Sequence, residues 1–167
     1  MRRPRMKSSE PGTGHRMSEN ERVVHASPED VFAVLADGWT YGSWVVGSSR
    51  IRAVAPDWPK PGTSIHHSVG VWPVLIHDAT TAEEYEPGRR LRIKVRAWPT
   101  GAGRVEITAD PRPDGCLVTM REEAVEGPAK AIPAKVSDPL LQWRNSESLR
   151  RLAYLAEART KPPSSDF

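Results

Sequence analysis

Apolar and polar residues alternate along the middle of the chain, and this alternation predicts a series of β-strands. It is clearest from Arg90 to Ala97, where Leu91, Ile93 and Val95 share one face and basic residues occupy the other. A strand of this kind lies half-buried in an antiparallel sheet, with its polar face in water. Weaker alternation between turn-forming residues predicts further strands at 19–25, 49–54, 64–70, 74–85, 105–109 and 117–125.

Helical spacing replaces alternation just after the first predicted strand. Ser27 is a suitable N-cap, Pro28 fits the first helical position, and Asp30 completes an acidic form of the capping box. Asp37-Gly38 ends this helix. The segment 39–44 that follows holds three aromatic residues, and we interpret it as a short helical turn that could roof a pocket.

A second helical pattern runs from Leu141 to about Arg159, with Pro139 at its first position and Ser137 or Asp138 as its cap. One face of this helix, about 120° wide, is predicted to be buried. It contains Leu141, Asn145, Ser148, Leu149, Leu152, Leu155 and Ala156.

Asn145 and Ser148 interrupt that otherwise apolar face. Buried polar side chains need hydrogen-bond partners, and a helix that faces an apolar sheet offers few. Two interpretations follow with equal support. Either these side chains line a cavity that holds water or a ligand, or they bond to the backbone of a neighbouring loop.

Length and cysteine content favour a single domain without disulfide bonds. The chain has 167 residues and a single cysteine, Cys116, which excludes an intrachain disulfide and a site built from several cysteines. No stretch approaches the ~20 apolar residues of a membrane span, so we expect a cytoplasmic protein. We predict a folded domain at 18–160 between disordered tails at 1–17 and 161–167.

The net charge of +3 does not indicate nucleic-acid binding. Residues 1–17 carry five basic residues and one acidic residue, a net charge of +4, which leaves −1 for the rest of the chain. The basic character therefore belongs to the tail, and the predicted domain has no electrostatic feature of a DNA or RNA partner.

Strand, helix, about six strands in succession and a final amphipathic helix predict an α+β fold with helices on one face of an antiparallel sheet. Together with the segments SPEDVFAVLADGWTYGSW, PDGCLVTMREE and WRNSESLRRLAYLAEAR, this order resembles the START-like (SRPBCC) superfamily, and within it the polyketide cyclase/dehydrase branch, which has many bacterial members. The resemblance covers roughly residues 18–159. It implies a helix-grip fold, in which a curved antiparallel sheet of about seven strands wraps around a long C-terminal helix. The cavity left between sheet and helix would bind lipids, polyketides or other apolar molecules.

The pair His66-His67 is a candidate for acid–base or metal chemistry. Adjacent residues of a strand point to opposite faces, so the two side chains cannot bind one ion together. His67 shares a face with Ile65 and is the inward candidate, and His77 is expected to approach it across a hairpin. Two histidines without a carboxylate or cysteine ligand make a poor zinc site, so we predict no metal and no cofactor. A structural or surface role remains the alternative for each histidine.

Glu122 shares a face with Met120 and is expected to face the last helix. There it could act as a general acid or base, or it could be salt-bridged to an arginine. Large aromatic side chains supply rigid apolar cavity walls. The predicted ligand-binding residues are therefore Trp44, His67, Trp72, His77, Met120, Glu122, Asn145 and Ser148.

Three functional hypotheses follow. The first is binding of a small apolar or amphipathic ligand by a monomer or homodimer. The second is an enzyme of the cyclase/aromatase type, in which His67, His77 or Glu122 moves protons. The third is a protein-interaction module that uses the aromatic segment 39–44 and has a solid core.

Overall fold

A seven-stranded antiparallel sheet forms the framework of the protein. The structure, a computed structural model, describes residues 17–71, 74–97, 101–127 and 134–160. The strands are β1 (Met17–Val24), β2 (Ser48–Val54), β3 (Ser64–Val71), β4 (Val74–Glu86), β5 (Arg90–Ala97), β6 (Gly101–Arg112) and β7 (Gly115–Glu126). The helices are α1 (Pro28–Ala36), α2 (Tyr41–Trp44) and α3 (Ala134–Thr160), with a 3₁₀ turn at Gly38–Thr40.

The strand order is β1-β7-β6-β5-β4-β3-β2, so consecutive strands from β2 to β7 are neighbours and β1 pairs with β7. All pairs are antiparallel. The two longer helices and α2 follow β1 or β7 in the chain and pack on one another, with α3 also lying against β1. This confirms the predicted α+β helix-grip fold.

The start of α1 has the predicted capping box. Ser27 Oγ accepts a hydrogen bond from the Asp30 amide at 3.1 Å, and the Asp30 carboxylate accepts one from the Ser27 amide at 3.4 Å. The Asp37 side chain then accepts from the Trp39 amide, which starts the 3₁₀ turn directly after α1. Local capping chemistry therefore sets both ends of this helix.

The start of α3 differs from the sequence prediction. The helix begins at Ala134, so Pro139 lies inside it and neither Ser137 nor Asp138 is its N-cap. A proline within a helix removes one backbone hydrogen bond and crowds the preceding turn. Here the helix continues through it near its start, which shows that the local signal for a helix start was overridden.

The core lies between the inner face of the sheet and the helices. From α3 the side chains of Leu149, Leu152, Ala153 and Ala156 are buried, and they join Val31 and Leu35 of α1 in one cluster. Burying a leucine side chain contributes about 1.5–3 kcal/mol to the free energy of unfolding. The predicted buried face of α3 therefore holds the helix on the sheet.

Charged side chains cover the outer face of the sheet. Arg92 binds Glu84 at 2.5 Å and Glu106 at 2.8 Å, and Arg121 binds Glu19 at 2.6 Å, so ion pairs link β4, β5, β6, β7 and β1. These groups are partly exposed, and each such pair contributes little to stability. Their arrangement confirms that the basic face of β5 is directed toward solvent. No helix of the described residues has the length and hydropathy of a membrane span.

Candidate functional site

A chain of three buried polar side chains lies on the inner face of the sheet. Tyr41 Oη and Thr80 Oγ1 share a hydrogen bond of 2.8 Å, and Thr80 Oγ1 lies 3.1 Å from Nε2 of His67. The ring centroids of Tyr41 and His67 are 5.2 Å apart. His67 points inward because it alternates with exposed His66 on β3, as predicted, whereas Tyr41 reaches the same point from α2.

His67 is 2% exposed, and its Nδ1 has no hydrogen-bond partner among the described residues. A buried polar atom without a partner costs about 1–3 kcal/mol. Burial lowers the pKa of His67, although the nearby Asp78 carboxylate acts in the opposite direction. The imidazole is therefore neutral at neutral pH, with one nitrogen able to donate and the other able to accept.

Burial also raises the pKa of Tyr41, to about 12. Its phenol therefore stays protonated across the physiological range. The hydrogen bond with Thr80 and the charge of Arg144 act against this rise, and the charges of Glu122 and Asp78 add to it. These electrostatic effects connect the Tyr41 chain with a second polar cluster.

The second cluster joins β7 to α3. Arg144 Nη2 donates to both carboxylate oxygens of Glu122 at 2.5 Å, and Asn145 Nδ2 donates to Glu122 Oε2 at 2.9 Å. Glu122 thus faces α3, as predicted, and of its two predicted roles it has the second, a salt bridge to an arginine. Asn145 finds its partner in a side chain across the interface, which neither interpretation anticipated.

Ser148 bonds to the backbone of a neighbouring loop, the second interpretation given for it. Its Oγ accepts a hydrogen bond from the amide of Val46 at 3.2 Å, in the loop between α2 and β2. The hydroxyl therefore fixes α3 to that loop.

Apolar side chains surround the two polar clusters. Trp44 and Met120 are buried, and the Trp44 ring meets Tyr41 edge to face with centroids 5.4 Å apart. Val69 on β3 and Val95 on β5 also belong to the inner face but are only half-buried. The main contacts of α3 are with β1, α1 and α2. The concave face is therefore covered less completely over β3 and β5.

His77 does not take its predicted place. Its partner across the β3–β4 ladder is Ser68, whose Oγ lies 3.3 Å from His77 Nδ1, and the side chain is exposed on the outer face. The residue opposite His67 is Asp78. The expectation that His77 approaches His67 is wrong. His77 pairs with Ser68, and neighbouring residues of a strand point to opposite faces, so His77 and His67 lie on opposite faces of the sheet. Trp72 lies outside the described residues.

Sequence reasoning missed Asp78, Thr80 and Arg144. Asp78 and Thr80 alternate with less buried neighbours on β4, in phase with Ala82, and this alternation is a signal that the sequence contained. Arg144 directly precedes Asn145, at the edge of the buried face of α3, and it lies opposite Glu122.

Other chemistry finds no support in the described part of the chain. No three His, Cys, Asp or Glu side chains there come together in a way that could hold a metal ion. Burial raises the pKa of the Cys116 thiol to about 11, so it stays protonated at neutral pH. Thiolates, not thiols, are nucleophiles.

The sequence matches a family of known proteins over nearly the whole of this fold. Residues 16–157 match the family described as "Polyketide cyclase / dehydrase and lipid transport". The chain belongs to this family. The match spans the sheet and nearly all of α3, so the inner face and both polar clusters lie within the family's region of similarity.

Solved structures share the fold at low sequence identity. Zhui aromatase/cyclase from Streptomyces sp. R1128 superimposes with a TM-score of 0.69 at 15% identity, covering 90% of this chain and 99% of that one. The di-domain ARO/CYC StfQ of the steffimycin biosynthetic pathway gives 0.66 at 14%, covering 86% and 51%. Protein CV1439 from Chromobacterium violaceum gives 0.62 at 23%, covering 85% and 98%. No curated protein sequence matches the chain significantly.

Proposed function

We propose that the protein binds a small amphipathic molecule between the inner face of the sheet and α3. The observation that carries this proposal is His67 Nδ1, which is buried without a partner among the described residues. The other ring nitrogen contacts Thr80, which in turn contacts Tyr41. A hydroxyl or carbonyl group of a ligand would complete this hydrogen-bonded chain.

The surroundings of His67 define the rest of the ligand. Trp44 and the half-buried Val69 and Val95 offer apolar surface, which suits a hydrocarbon or aromatic body. The side chain of Arg144 is 38% exposed and that of Glu122 is 13% exposed, so their ion pair lies between the interior and solvent. A polar end of the ligand would lie there.

The family description supports ligand binding, because each activity that it names requires a bound small molecule. Its description names both enzymes and lipid transport, and two proteins of the same fold are described as aromatase/cyclases. Identity to those two is 15% or less, so they support the architecture of a ligand-binding cavity and leave the chemistry open.

A second candidate function is that of a cyclase/aromatase-type enzyme. The observation in its favour is that a neutral imidazole and a protonated phenol meet at one threonine. In such an enzyme His67 would accept a proton from a bound polyketide-like substrate, and Tyr41 and Thr80 would hold the imidazole in position. Glu122 is the weaker candidate for proton transfer because it is bound to Arg144 and Asn145.

Native mass spectrometry of the purified protein, compared with the denatured mass, tests ligand binding directly. We expect a retained small molecule, or a thermal shift with amphipathic compounds such as fatty acids and polyphenols. His67→Asn should weaken binding about tenfold or more, since it removes a buried hydrogen bond. His66→Asn is the matched control, because His66 is the exposed neighbour on the same strand.

Two results would contradict the proposal. One is the absence of any adduct or thermal shift across the panel. The other is equal weakening by the two substitutions, which would place the ligand away from the inner face. Turnover of a polyketide-like substrate that His67→Asn abolishes while binding persists would select the enzyme.

A further inference from the structure

A surface depression of about 550 Å³ is lined by residues of the sheet, among them exposed side chains of its outer face. Its described lining comes from neighbouring strands β2 to β6. Two arginines and two histidines contribute to it: Arg52, His66, His77 and Arg96. These four side chains are exposed, whereas His67 and Thr80 of the interior site do not line the depression.

The strand register explains how these side chains come together. His66 pairs with Ala79, and Thr80 pairs with Val95, so Arg96 follows on the other side of Ala79. Adjacent strands are about 4.8 Å apart, which puts the backbones of positions 66 and 96 about 10 Å from each other. The methyl group of Ala79 between them leaves room for both long side chains.

His77 belongs to the same face, two residues before Ala79 on β4. Its Nδ1 lies 3.3 Å from Ser68 Oγ. When Ser68 donates this hydrogen bond, Nε2 of His77 carries the hydrogen and is a donor for an anion.

The arginines of the depression are in direct contact with no carboxylate among the described residues. Neither Arg52 nor Arg96 makes an ion pair or side-chain hydrogen bond with a described residue. This is unusual for β5, because its other cations, Arg90, Arg92 and Lys94, each bind a glutamate.

Asp78 is the acidic residue among the described lining, and it lowers the positive charge of the depression by one. It is 8% exposed, and its Oδ1 accepts a hydrogen bond from the Ala79 amide at 2.7 Å. The exposed side chains around the depression are therefore basic: Arg52, His66, His77 and Arg96.

We propose that this depression binds a phosphate group carried by a small molecule or a lipid headgroup. A guanidinium group presents N–H donors in a planar fork that matches the oxygens of phosphate, and charge-assisted hydrogen bonds of this kind are the strong ones. Imidazole N–H groups add further donors. The volume falls in the range of small-ligand sites, which leaves space for the organic part of a phosphate ester.

Titration of the ¹⁵N-labelled protein with inorganic phosphate, at constant ionic strength maintained with chloride, tests the proposal by NMR. We expect saturable shifts of amides in β2 to β5 around Ala79. Arg96→Gln and Arg52→Gln should each raise the phosphate Kd at least about tenfold, as for the loss of one charge-assisted hydrogen bond. Both arginines are exposed, so thermal unfolding should not change.

Arg112→Gln is the matched control. Arg112 is also exposed without an ion pair among the described residues, but it lies at the opposite end of β6 from Gly101. Its substitution should change the phosphate Kd less than about twofold. Equal weakening by Arg96→Gln and Arg112→Gln would overturn the proposal, since it would show general attraction to a basic surface.

Two further arms distinguish the sources of the phosphate group. Glycerol 3-phosphate represents soluble esters, and phosphatidylcholine vesicles with and without phosphatidic acid represent membranes. Binding of either that depends on Arg96 supports the site and assigns its source. Absence of saturable binding to inorganic phosphate, glycerol 3-phosphate and phosphatidic acid vesicles would overturn the proposal.

Discussion

Asp78 lies directly opposite His67 across the β3–β4 ladder, and both side chains are buried on the inner face of the sheet. The pair places a carboxylate near an imidazole whose Nε2 contacts Thr80. The protonation state of His67 therefore depends on two opposing effects. Burial lowers the pKa of His67, and the charge of Asp78 raises it.

Removing that charge should lower the pKa of His67 further. We expect Asp78→Asn to move the titration of the His67 ring to lower pH, as measured by NMR of its ring resonances. Asp110→Asn, a substitution of an exposed carboxylate on β6, is the control and should leave His67 unchanged. A rise in the pKa of His67 in Asp78→Asn would contradict the interaction.

The lowered pKa of His67 also predicts how stability depends on pH. An unfolded histidine has a pKa of about 6.5, so below this pH the unfolded chain binds a proton that the folded His67 does not. The neutral, buried His67 therefore contributes its full stabilisation above about pH 6.5. The free energy of unfolding falls as the pH drops from there toward the lower, folded pKa of His67. Urea unfolding across this range should show less loss at low pH in His67→Gln than in the wild type.

Truncation of the α3 face should test how firmly the helix is held. Leu152 is fully buried in the core, and we expect Leu152→Ala to lower the free energy of unfolding by about 2–5 kcal/mol, from lost burial and the cavity that remains. Tyr154, two residues away, is 75% exposed. Tyr154→Ala should change stability by less than about 0.5 kcal/mol in the same urea experiment.

The hydrogen bond between Tyr41 and Thr80 can be removed with one atom. Tyr41→Phe keeps the ring contacts with Trp44 and His67, so we expect a loss of about 0.5–1.5 kcal/mol in stability. In the proposed function it should also weaken ligand binding, since His67 loses part of its support. Unchanged ligand affinity in Tyr41→Phe would remove Tyr41 from the binding site without affecting the stability prediction.

Gly115, the first residue of β7, is constrained in two ways. Its φ is +140°, and a Cβ there would lie 2.0 Å from the carbonyl oxygen of Val24 at the end of β1. We expect Gly115→Ala to cost more than the about 1–3 kcal/mol of backbone strain alone, because the edge strand must also move.

Gly62 provides the comparison. It has a φ of +88°, but a Cβ there would meet no atom within 4 Å. Gly62→Ala should therefore cost strain only, about 1–2 kcal/mol. Equal losses for the two substitutions in thermal or urea unfolding would show that the contact with Val24 carries no weight.

Several features of this protein follow from the sequence by itself. Ser27, Pro28 and Asp30 specify the start of α1, because capping acts over three or four residues. Alternation specifies β5 and the inward direction of His67 and Glu122, since it needs only the period of the strand. The succession of elements was enough to predict the fold class, and the fold in turn predicts a ligand site under α3.

The tertiary structure alone decided which side chains meet. The register of β3 on β4 selected Asp78 over His77 as the neighbour of His67, and the docking of α3 brought Arg144 to Glu122. It also carried Pro139 into the helix against its local preference. The arginines and histidines of the depression come from separate strands. Such contacts join residues far apart in sequence, and the twist, register and packing that create them are set by the whole sheet.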